Sequence, residues 1–275
     1  MSTVSYQGIP GSFSHMTACT LFGAGAQLFG TSQFREIFER VSAGIDDAGV
    51  VPLENTLAGS VYENYDLLLH HPLQITAEHY LRVEHHLLAL PGKSGDERIR
   101  CLSRVFSHQK ALEQCQLLFR EFSHLECSVH NDTAGAAKLV VDRADSSLAA
   151  IASEEAAKLY GLQILRRNVE DDPHNFTRFV VVSRAAVRVV DANKCSIIFS
   201  LRHQPGSLVR VLDVLSRRGL NLTKIESRPI AGKLFEYNFY ADFEFAAGQA
   251  EAALEEISAN TQSLQVLGLY RAAHS

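Results

Sequence analysis

Residues 236–245 read Glu236-Tyr237-Asn238-Phe239-Tyr240-Ala241-Asp242-Phe243-Glu244-Phe245. Tyr237, Phe239, Ala241, Phe243 and Phe245 alternate with Glu236, Asn238, Tyr240, Asp242 and Glu244. Side chains of an extended chain point alternately to opposite faces, so this period predicts a strand with one face toward a core and one polar face. Its neighbours say which core. Upstream, Ser196 to Arg202 reads as a strand and Gly206 to Arg218 as a helix with Leu208, Val211, Leu212 and Leu215 on one stripe. Asn221 to Ile230 is a second strand. Downstream, Ala250 to Ala259 is a helix with Leu254 and Ile257 inward and Glu251, Glu255 and Glu256 outward, and Ser263 to Arg271 is a last strand. The order βαββαβ within about 75 residues is the ferredoxin-like split unit.

Residues 4–184 follow another grammar, in which short apolar strands alternate with helices. Val4-Ser5-Tyr6 is a strand, and Ser12 caps a helix that runs to Phe22 and stops at Gly23. Phe34, Ile37, Phe38 and Val41 recur at helical spacing, Ala48 to Val51 is a buried strand, and Val61 to His70 is helical. Leu112, Cys115, Phe119 and Phe122 mark one further helix. Helices from Thr133 to Arg143 and Glu154 to Tyr160 flank a strand from Leu148 to Ala152, and Arg178 to Ser183 is the last strand. This alternation predicts an α/β fold with largely parallel sheets, whose ligand crevice lies at the carboxyl ends of the strands. The extended stretch from Gln74 to Leu90 is suited to carry the chain from one lobe to another. The predicted domains are 1–184, a linker at 185–194, and 195–275.

Bulk properties exclude several classes of function. At 275 residues, 46% hydrophobic and 21% charged, the chain reads as an ordinary globular protein of two domains. A net charge of -5 argues against a nucleic-acid partner. No apolar run approaches the roughly 18 residues needed to span a bilayer, and the N-terminus shows no secretory pattern. Cys19, Cys101, Cys115, Cys127 and Cys195 are scattered without a CxxC pair, which predicts reduced, mostly buried thiols and a cytoplasmic location. The 12 histidines include the adjacent pairs His70-His71 and His85-His86, but there is no HExxH and no set at zinc spacing, so no metal is expected. No glycine-rich phosphate loop is present, and no cofactor is expected.

Several short segments carry chemistry. Asn175-Phe176-Thr177-Arg178-Phe179 sets a hydroxyl beside a guanidinium, between an amide and two rings, before the apolar run Val180-Val181-Val182. Such a strand entry offers a proton donor, an anion anchor and a dry wall, the equipment for acid-assisted elimination from a carboxylate-bearing substrate. The blander alternative is a loop whose Thr caps its own backbone and whose Arg is solvated. Pro52-Leu53-Glu54-Asn55-Thr56 follows a buried strand, where ligand contacts or plain turn chemistry are expected. Ser107 is predicted to cap a helix on which Gln114 lies seven residues on, so that the two either share a wall or, as spacing alone favours, are a cap and a surface amide. Asp132-Thr133-Ala134-Gly135 opens a helix whose free amides form either an anion site or an ordinary cap. Gln7 to Ser14 follows the first strand, and Gly8 and Gly11 would let its backbone approach a ligand.

In this order the segments resemble the prephenate dehydratase family, in its form with a C-terminal ACT regulatory domain. The likeness runs nearly end to end, through Tyr6-Gln7-Gly8 with Pro10-Gly11, Pro52 to Thr56, Ser107-His108 with Gln114-Cys115, Asp132 to Ala137 and Asn175 to Phe179. The ACT part resembles the phenylalanine-sensing type through Gly206-Ser207-Leu208-Val209 and Glu226-Ser227-Arg228-Pro229. The resemblance implies a two-lobed catalytic domain, like a type 2 periplasmic binding protein, with substrate in the cleft. It implies a carbon–oxygen lyase that converts prephenate to phenylpyruvate, water and carbon dioxide. With the first strand at Val4, a monofunctional enzyme is expected.

By the same analogy Thr177 is the hydrogen-bond donor to the leaving hydroxyl. Arg178 holds a carboxylate, and Asn55, Thr56, Ser107, Gln114 and Asn175 place the substrate. The Thr133 and Ala134 amides take its other anionic end, and Phe179 excludes water. Phenylalanine binds between two ACT domains, near Gly206 to Val209 of one and Glu226 to Pro229 of the other, so a homodimer or homotetramer is expected. The sequence departs from the family at Gln109-Lys110, where Pro-Gln is usual and where Lys110 adds a cation that either nears the proposed anion site or faces solvent, and at Ser207, where Ala is usual. Two rival readings stay open. One is arogenate dehydratase, which performs the same elimination on the transaminated substrate. The other is a non-catalytic amino-acid-sensing binding protein.

Overall fold

The computed structural model describes residues 2–93, 95–184, 191–230, 232–233, 235–246 and 248–273. Most of the expected linker, 185–190, lies outside the described residues. The chain divides into two compact units, Met1–Tyr65 with His79–Phe179, and Asp66–Glu78 with Val180–Ser275.

The first passage runs β1 (Ser2–Gln7), α1 (Phe13–Phe22), β2 (Ala26–Thr31), α2 (Phe34–Ala43), β3 (Ala48–Asn55), β4 (Gly59–Ser60), α3 (Tyr62–His70) and β5 (Gln74–Arg82). As the sequence predicts, Ser12 caps α1, accepting His15 N at 3.2 Å, and Ile37, Phe38 and Val41 of α2 are buried. The chain then builds a second sheet from β6 (His86–Ala89), α4 (Asp96–Arg100), β7 (Arg104–His108), α5 (Gln109–Glu113), α6 (Gln116–Glu121), β8 (Glu126–His130), α7 (Thr133–Arg143), β9 (Leu148–Ala152), α8 (Glu154–Tyr160) and β10 (Gln163–Arg166). It returns in β11 (Phe176–Ser183).

The first sheet has the order β2-β1-β3-β11-β5, with β4 on β3, and the second β10-β6-β9-β7-β8. β1 pairs parallel with β2 and β3, and β7 pairs parallel with β8 and β9. β6 and β10 are antiparallel to their neighbours, so the second sheet is mixed. The stretch from Gln74 to Leu90 does carry the chain from the first sheet to the second. The outward and return crossings are stapled together, since Val83 N donates to Asn175 O at 2.7 Å and Val169 N to His85 O at 2.8 Å.

Three local expectations change. Leu112 to Phe122 is not one helix, because Asp171 accepts Gln116 N at 2.8 Å and Leu117 N at 2.9 Å and thereby starts α6 afresh. Leu112, Cys115 and Phe122 still enter one core. Ser107 is in β7 rather than capping a helix; His108 is the cap, its Nδ1 accepting Lys110 N at 3.3 Å. Gly11, at φ 91°, serves close packing between lobes, for a Cβ there would stand 3.0 Å from Ala156 Cα of α8. Ser153 Oγ and Tyr160 Oη donate to Gly11 O and Pro10 O, each at 2.7 Å, along the same seam.

In the second unit, β12 (Lys194–Ser200), α9 (Ser207–Arg217), β13 (Asn221–Pro229), β14 (Tyr237–Glu244), α10 (Ala250–Ala259) and β15 (Ser263–Tyr270) follow in βαββαβ order. The sheet order β13-β14-β12-β15 is that of the split unit. Ala241 and Phe243 pack with Ile197 and Phe199 beneath Val211, Val214, Ala253 and Ile257 of the two helices. The opposite face is not solvated as the alternation suggests. Tyr240 and Asp242 are only 3% and 5% exposed. Residues 66–78 of the same unit cover that face, and they come so close that a Cβ on Gly268 would collide with Ile75 O. Ser196, Asp242 and Tyr270 bond one another there: Ser196 Oγ meets Asp242 at 2.5 Å and Tyr270 Oη at 2.7 Å. Lys194 Nζ donates to both oxygens of Glu78 at 3.0 Å.

The side chains of Lys194 and Glu78 are 4% and 0% exposed. Removing one member leaves an uncompensated buried charge, at a cost of about 3–5 kcal/mol. Urea unfolding should show a loss of that order for Lys194→Met, and the double variant with Glu78→Leu should recover most of it. A Lys194→Met chain as stable as the parent would show that the pair does not hold this face.

Candidate active site

A cavity of about 360 Å³ opens in the first unit. Pro52, Asn55, Val83, Thr177 and Phe179 wall it from the first sheet and the crossing, and His108, Lys110, Gln114, Asp132 and Thr133 from the second lobe. Its size falls within the usual range for small-molecule sites, about 300–1,000 Å³.

Strand alternation decides which residues of β11 reach it. Thr177 and Phe179 share one face and line the cavity, at 9% and 2% exposure. Arg178 between them is turned to the other face and buried, so the cationic side chain on the wall is Lys110 instead. Ser107 is also turned away, donating to Ile151 O at 2.6 Å. Thr56 stands behind the wall as a staple, accepting Phe176 N at 2.9 Å and donating to His174 O at 2.7 Å. Asn175, fully buried, lies between Asn55 and Gln114 without facing the cavity. The Ala134 side chain belongs to the core of the second lobe. Of the predicted substrate-site residues, the structure therefore places Asn55, Gln114, Thr133, Thr177 and Phe179 on one cavity. Thr56, Ser107, Ala134, Asn175 and Arg178 stand behind its surface. In the second unit, Gly206 to Val209 open α9 and Glu226 to Pro229 close β13, an edge strand of its sheet.

Asn55 is the hub. Its Oδ1 accepts Leu57 N at 3.0 Å and Ala58 N at 2.8 Å. A backbone N–H only donates, so the other end of this amide must be Nδ2. Nδ2 donates to Asn175 Oδ1 at 2.7 Å, Phe176 O at 3.2 Å and Thr177 Oγ1 at 2.9 Å. The Thr177 oxygen therefore accepts, and among the described residues no acceptor takes its own hydrogen. That hydrogen is free to point into the cavity.

Helix ends supply further donors. Asp132 caps α7, its Oδ1 accepting Gly135 N at 2.6 Å, and leaves the amide of Thr133, which lines the cavity, for a ligand, whereas Ala134 is fully buried. A Cβ on Gly135 would lie 2.6 Å from His130 Cε1, so a larger residue there would displace that ring. α1 begins on the opposite wall, where Ser12, Phe13 and Ser14 line the cavity. The wall also holds His85 and His108, which the sequence did not single out, because each faces the cavity only through tertiary packing. Burial holds both below the ordinary histidine range; for His85 the value falls to about 4, against a partial lift from its hydrogen bond with Gln114. His85 and His86 point apart as expected for extended neighbours: His86 Nδ1 accepts Asn168 N at 3.0 Å.

The Prephenate dehydratase family matches residues 4–187, and the ACT domain family residues 196–260. Arogenate dehydratase 1 of Petunia hybrida is 40% identical over 286 residues, covering 97% of this chain and 66% of its own length. The chain thus spans about two thirds of that relative. The prephenate dehydratase of Arthrobacter aurescens in complex with L-Phe has a TM-score of 0.87 at 29% identity, covering 98% of this chain and 90% of that one. A chain described as GqqA, a novel type of quorum quenching acylase, has a TM-score of 0.86 at 33% identity and covers 98% of both.

The folded chain holds His85 neutral down to about pH 4, whereas a free histidine takes up its proton near pH 6.5. Unfolding therefore binds a proton in that window, and stability present above pH 6.5 is lost as the pH falls toward 4. The urea midpoint should fall over this range, and His85→Gln should flatten the fall. An equally steep fall in that variant would contradict the assignment of this titration to His85.

Proposed function

This chain belongs to the prephenate dehydratase family, and from that membership we propose that it is a carbon–oxygen lyase turning prephenate into phenylpyruvate, water and carbon dioxide. The observation that carries the reading is the 2.9 Å hydrogen bond from Asn55 Nδ2 to Thr177 Oγ1. In prephenate the ring carboxylate leaves as carbon dioxide, and its bonding pair flows into the ring. The ring becomes aromatic as the alcohol oxygen departs, taking up one proton to leave as water. Aromatisation drives the step, and the obstacle is a poor leaving group. A hydroxyl whose oxygen accepts from Asn55 keeps its own hydrogen available to donate to that departing oxygen. Such positioned donation contributes about 10²–10⁴-fold. The Thr133 amide at the start of α7 and Lys110 offer positive potential to the substrate's carboxylates. Phe179, with Pro52 and Val83, keeps one side dry. Ser107, Arg178, Thr56 and Asn175 act in this reading from behind the wall.

Feedback by L-phenylalanine is part of the proposal. Gly206 to Val209 and Glu226 to Pro229 are its effector segments, each site being completed by a second copy. The edge position of β13 suits pairing into a homodimer, or a homotetramer built from two. Cys19, Cys101 and Cys127 are exposed, against the expectation of burial, and all five free thiols fit a cytoplasmic setting.

One observation favours arogenate as the substrate instead. Asp132 puts a carboxylate on the wall beside Thr133, a fitting partner for the ammonium that arogenate carries in place of a keto group. Amide hydrolysis, the activity named for the quorum quenching relative, needs an activated nucleophile. The Thr177 oxygen accepts from Asn55 and passes its hydrogen to no base among the described residues, which weighs against that chemistry.

Purified protein should form phenylpyruvate from prephenate, and phenylalanine should lower the rate. Thr177→Val should cut kcat by about 10²-fold or more while substrate affinity stays within a few-fold. Unchanged turnover in that variant would overturn the role given to Thr177. Comparing kcat/KM for prephenate and arogenate in the parent and in Asp132→Asn separates the two substrates. If arogenate is the substrate, it is turned over better by the parent and Asp132→Asn loses that preference.

A further inference from the structure

The polarity that reaches Thr177 also runs the other way along the wall. Asn55 Nδ2 donates to Asn175 Oδ1 at 2.7 Å, so Asn175 turns its own Nδ2 toward Gln114 Oε1, 3.0 Å away. Gln114 Oε1 is thereby fixed as an acceptor. His85 Nε2 lies 3.3 Å from the same oxygen. Two acceptors cannot share a hydrogen bond, so the imidazole must carry its proton on Nε2. The opposite tautomer would set a lone pair against Gln114 Oε1. Turning the Gln114 amide over to suit it would then set two NH₂ groups against each other at Asn175.

The rest of the ring's surroundings fit one locked orientation. His85 is 2% exposed. Its backbone N–H is held by Glu170 Oε2 at 2.9 Å, and its ring meets Phe13 edge-on at 5.6 Å between centroids. Nδ1 is buried without a hydrogen-bond partner, which suits a bare lone pair better than an N–H. Burial keeps the imidazole neutral, with its single proton left for Gln114.

We infer that His85, as its Nε2–H tautomer, is a positioning residue that holds Gln114 Oε1 inward and turns Gln114 Nε2 into the cavity. The inference rests on the reading of the cavity as a prephenate or arogenate site. With Gln114 fixed this way, Thr177 and Gln114 both face the substrate as donors, matching a substrate of carboxylates and a hydroxyl. His85 itself exchanges no proton with substrate. Its effect passes through Gln114.

Nitrogen-15 spectra of the full chain at neutral pH test the tautomer directly, with the His85 signals identified by their loss in His85→Gln. Protonated Nε2 and bare Nδ1 are expected, and the reverse pattern overturns the inference. Kinetics test the consequence. His85→Gln, which can place an amide N–H where Nε2–H stood, should stay within about twofold of the parent. His85→Leu should lose roughly tenfold in kcat/KM, the size of one hydrogen bond. In a Gln114→Ala background, His85→Leu should cost nothing further, since its route of action is gone. Equal losses in the Gln and Leu variants, or an undiminished loss in the Gln114→Ala background, would mean a merely structural ring. A parent chain that turns over neither substrate refutes the functional reading instead, and the spectra still decide the tautomer.

Discussion

The amides of Leu57 and Ala58 set the direction of a whole hydrogen-bond chain. Because they can only donate, Asn55 must turn its carbonyl to them and its NH₂ toward Asn175 and Thr177. Every later partner inherits that orientation. The outcome is a threonine hydroxyl whose oxygen is engaged and whose hydrogen is left over. A free threonine hydroxyl is a weak acid and a freely rotating donor. One whose oxygen already accepts a bond has its rotation narrowed before the substrate arrives, which is the sense in which a site of this kind is preorganised.

The fold supplies the precision this chain of bonds requires. Asn55 ends β3, Thr177 lies on the adjacent strand β11, and the backbone bond from Thr56 N to Phe176 O at 2.9 Å fixes their register. Gln114 comes from the other lobe, held where Asp171 N donates to Gln114 O at 2.7 Å. The two crossings meet beside it, at the Val83–Asn175 and Val169–His85 bonds. The donors therefore stand on paired strands and a doubled crossing rather than on free loops. In the second unit the same economy appears in another form. A sheet face that carries Lys194, Ser196, Tyr240 and Asp242 is buried, and there Ser196 bonds Asp242 and Tyr270 while Lys194 bonds Glu78.

Where local signals were strong, the sequence told the truth about the elements. Thr133–Arg143, Leu148–Ala152, Glu154–Tyr160 and Ala250–Ala259 fall where periodicity and caps put them. β2 escaped notice because Ala26–Thr31 is an edge strand with two large apolar residues and a glycine, too weak a period to stand alone. The break between α5 and α6 depends on Asp171, more than fifty residues away in sequence, and no local pattern encodes it. The polar face of β14 was misjudged for a related reason, since what buries it is residues 66–78.

The cavity was legible as a set of segments and not as a set of roles. Motif order picked out Asn55, Gln114, Thr133, Thr177 and Phe179, but adjacency in sequence could not show that Arg178 faces away from Thr177. That follows from the period of two in a strand, once the strand's start is known. His85 and His108 join the wall only through packing, whereas Lys110 was legible as a cation near the proposed anion site.

The most direct measurement is neutron diffraction from crystals of the full chain exchanged into deuterium oxide. Nuclear density should show the Thr177 deuteron aimed into the cavity, with two deuterons on the Asn55 nitrogen that faces it. A Thr177 deuteron directed at Asn55, with the Asn55 carbonyl receiving it, would contradict the account at its root.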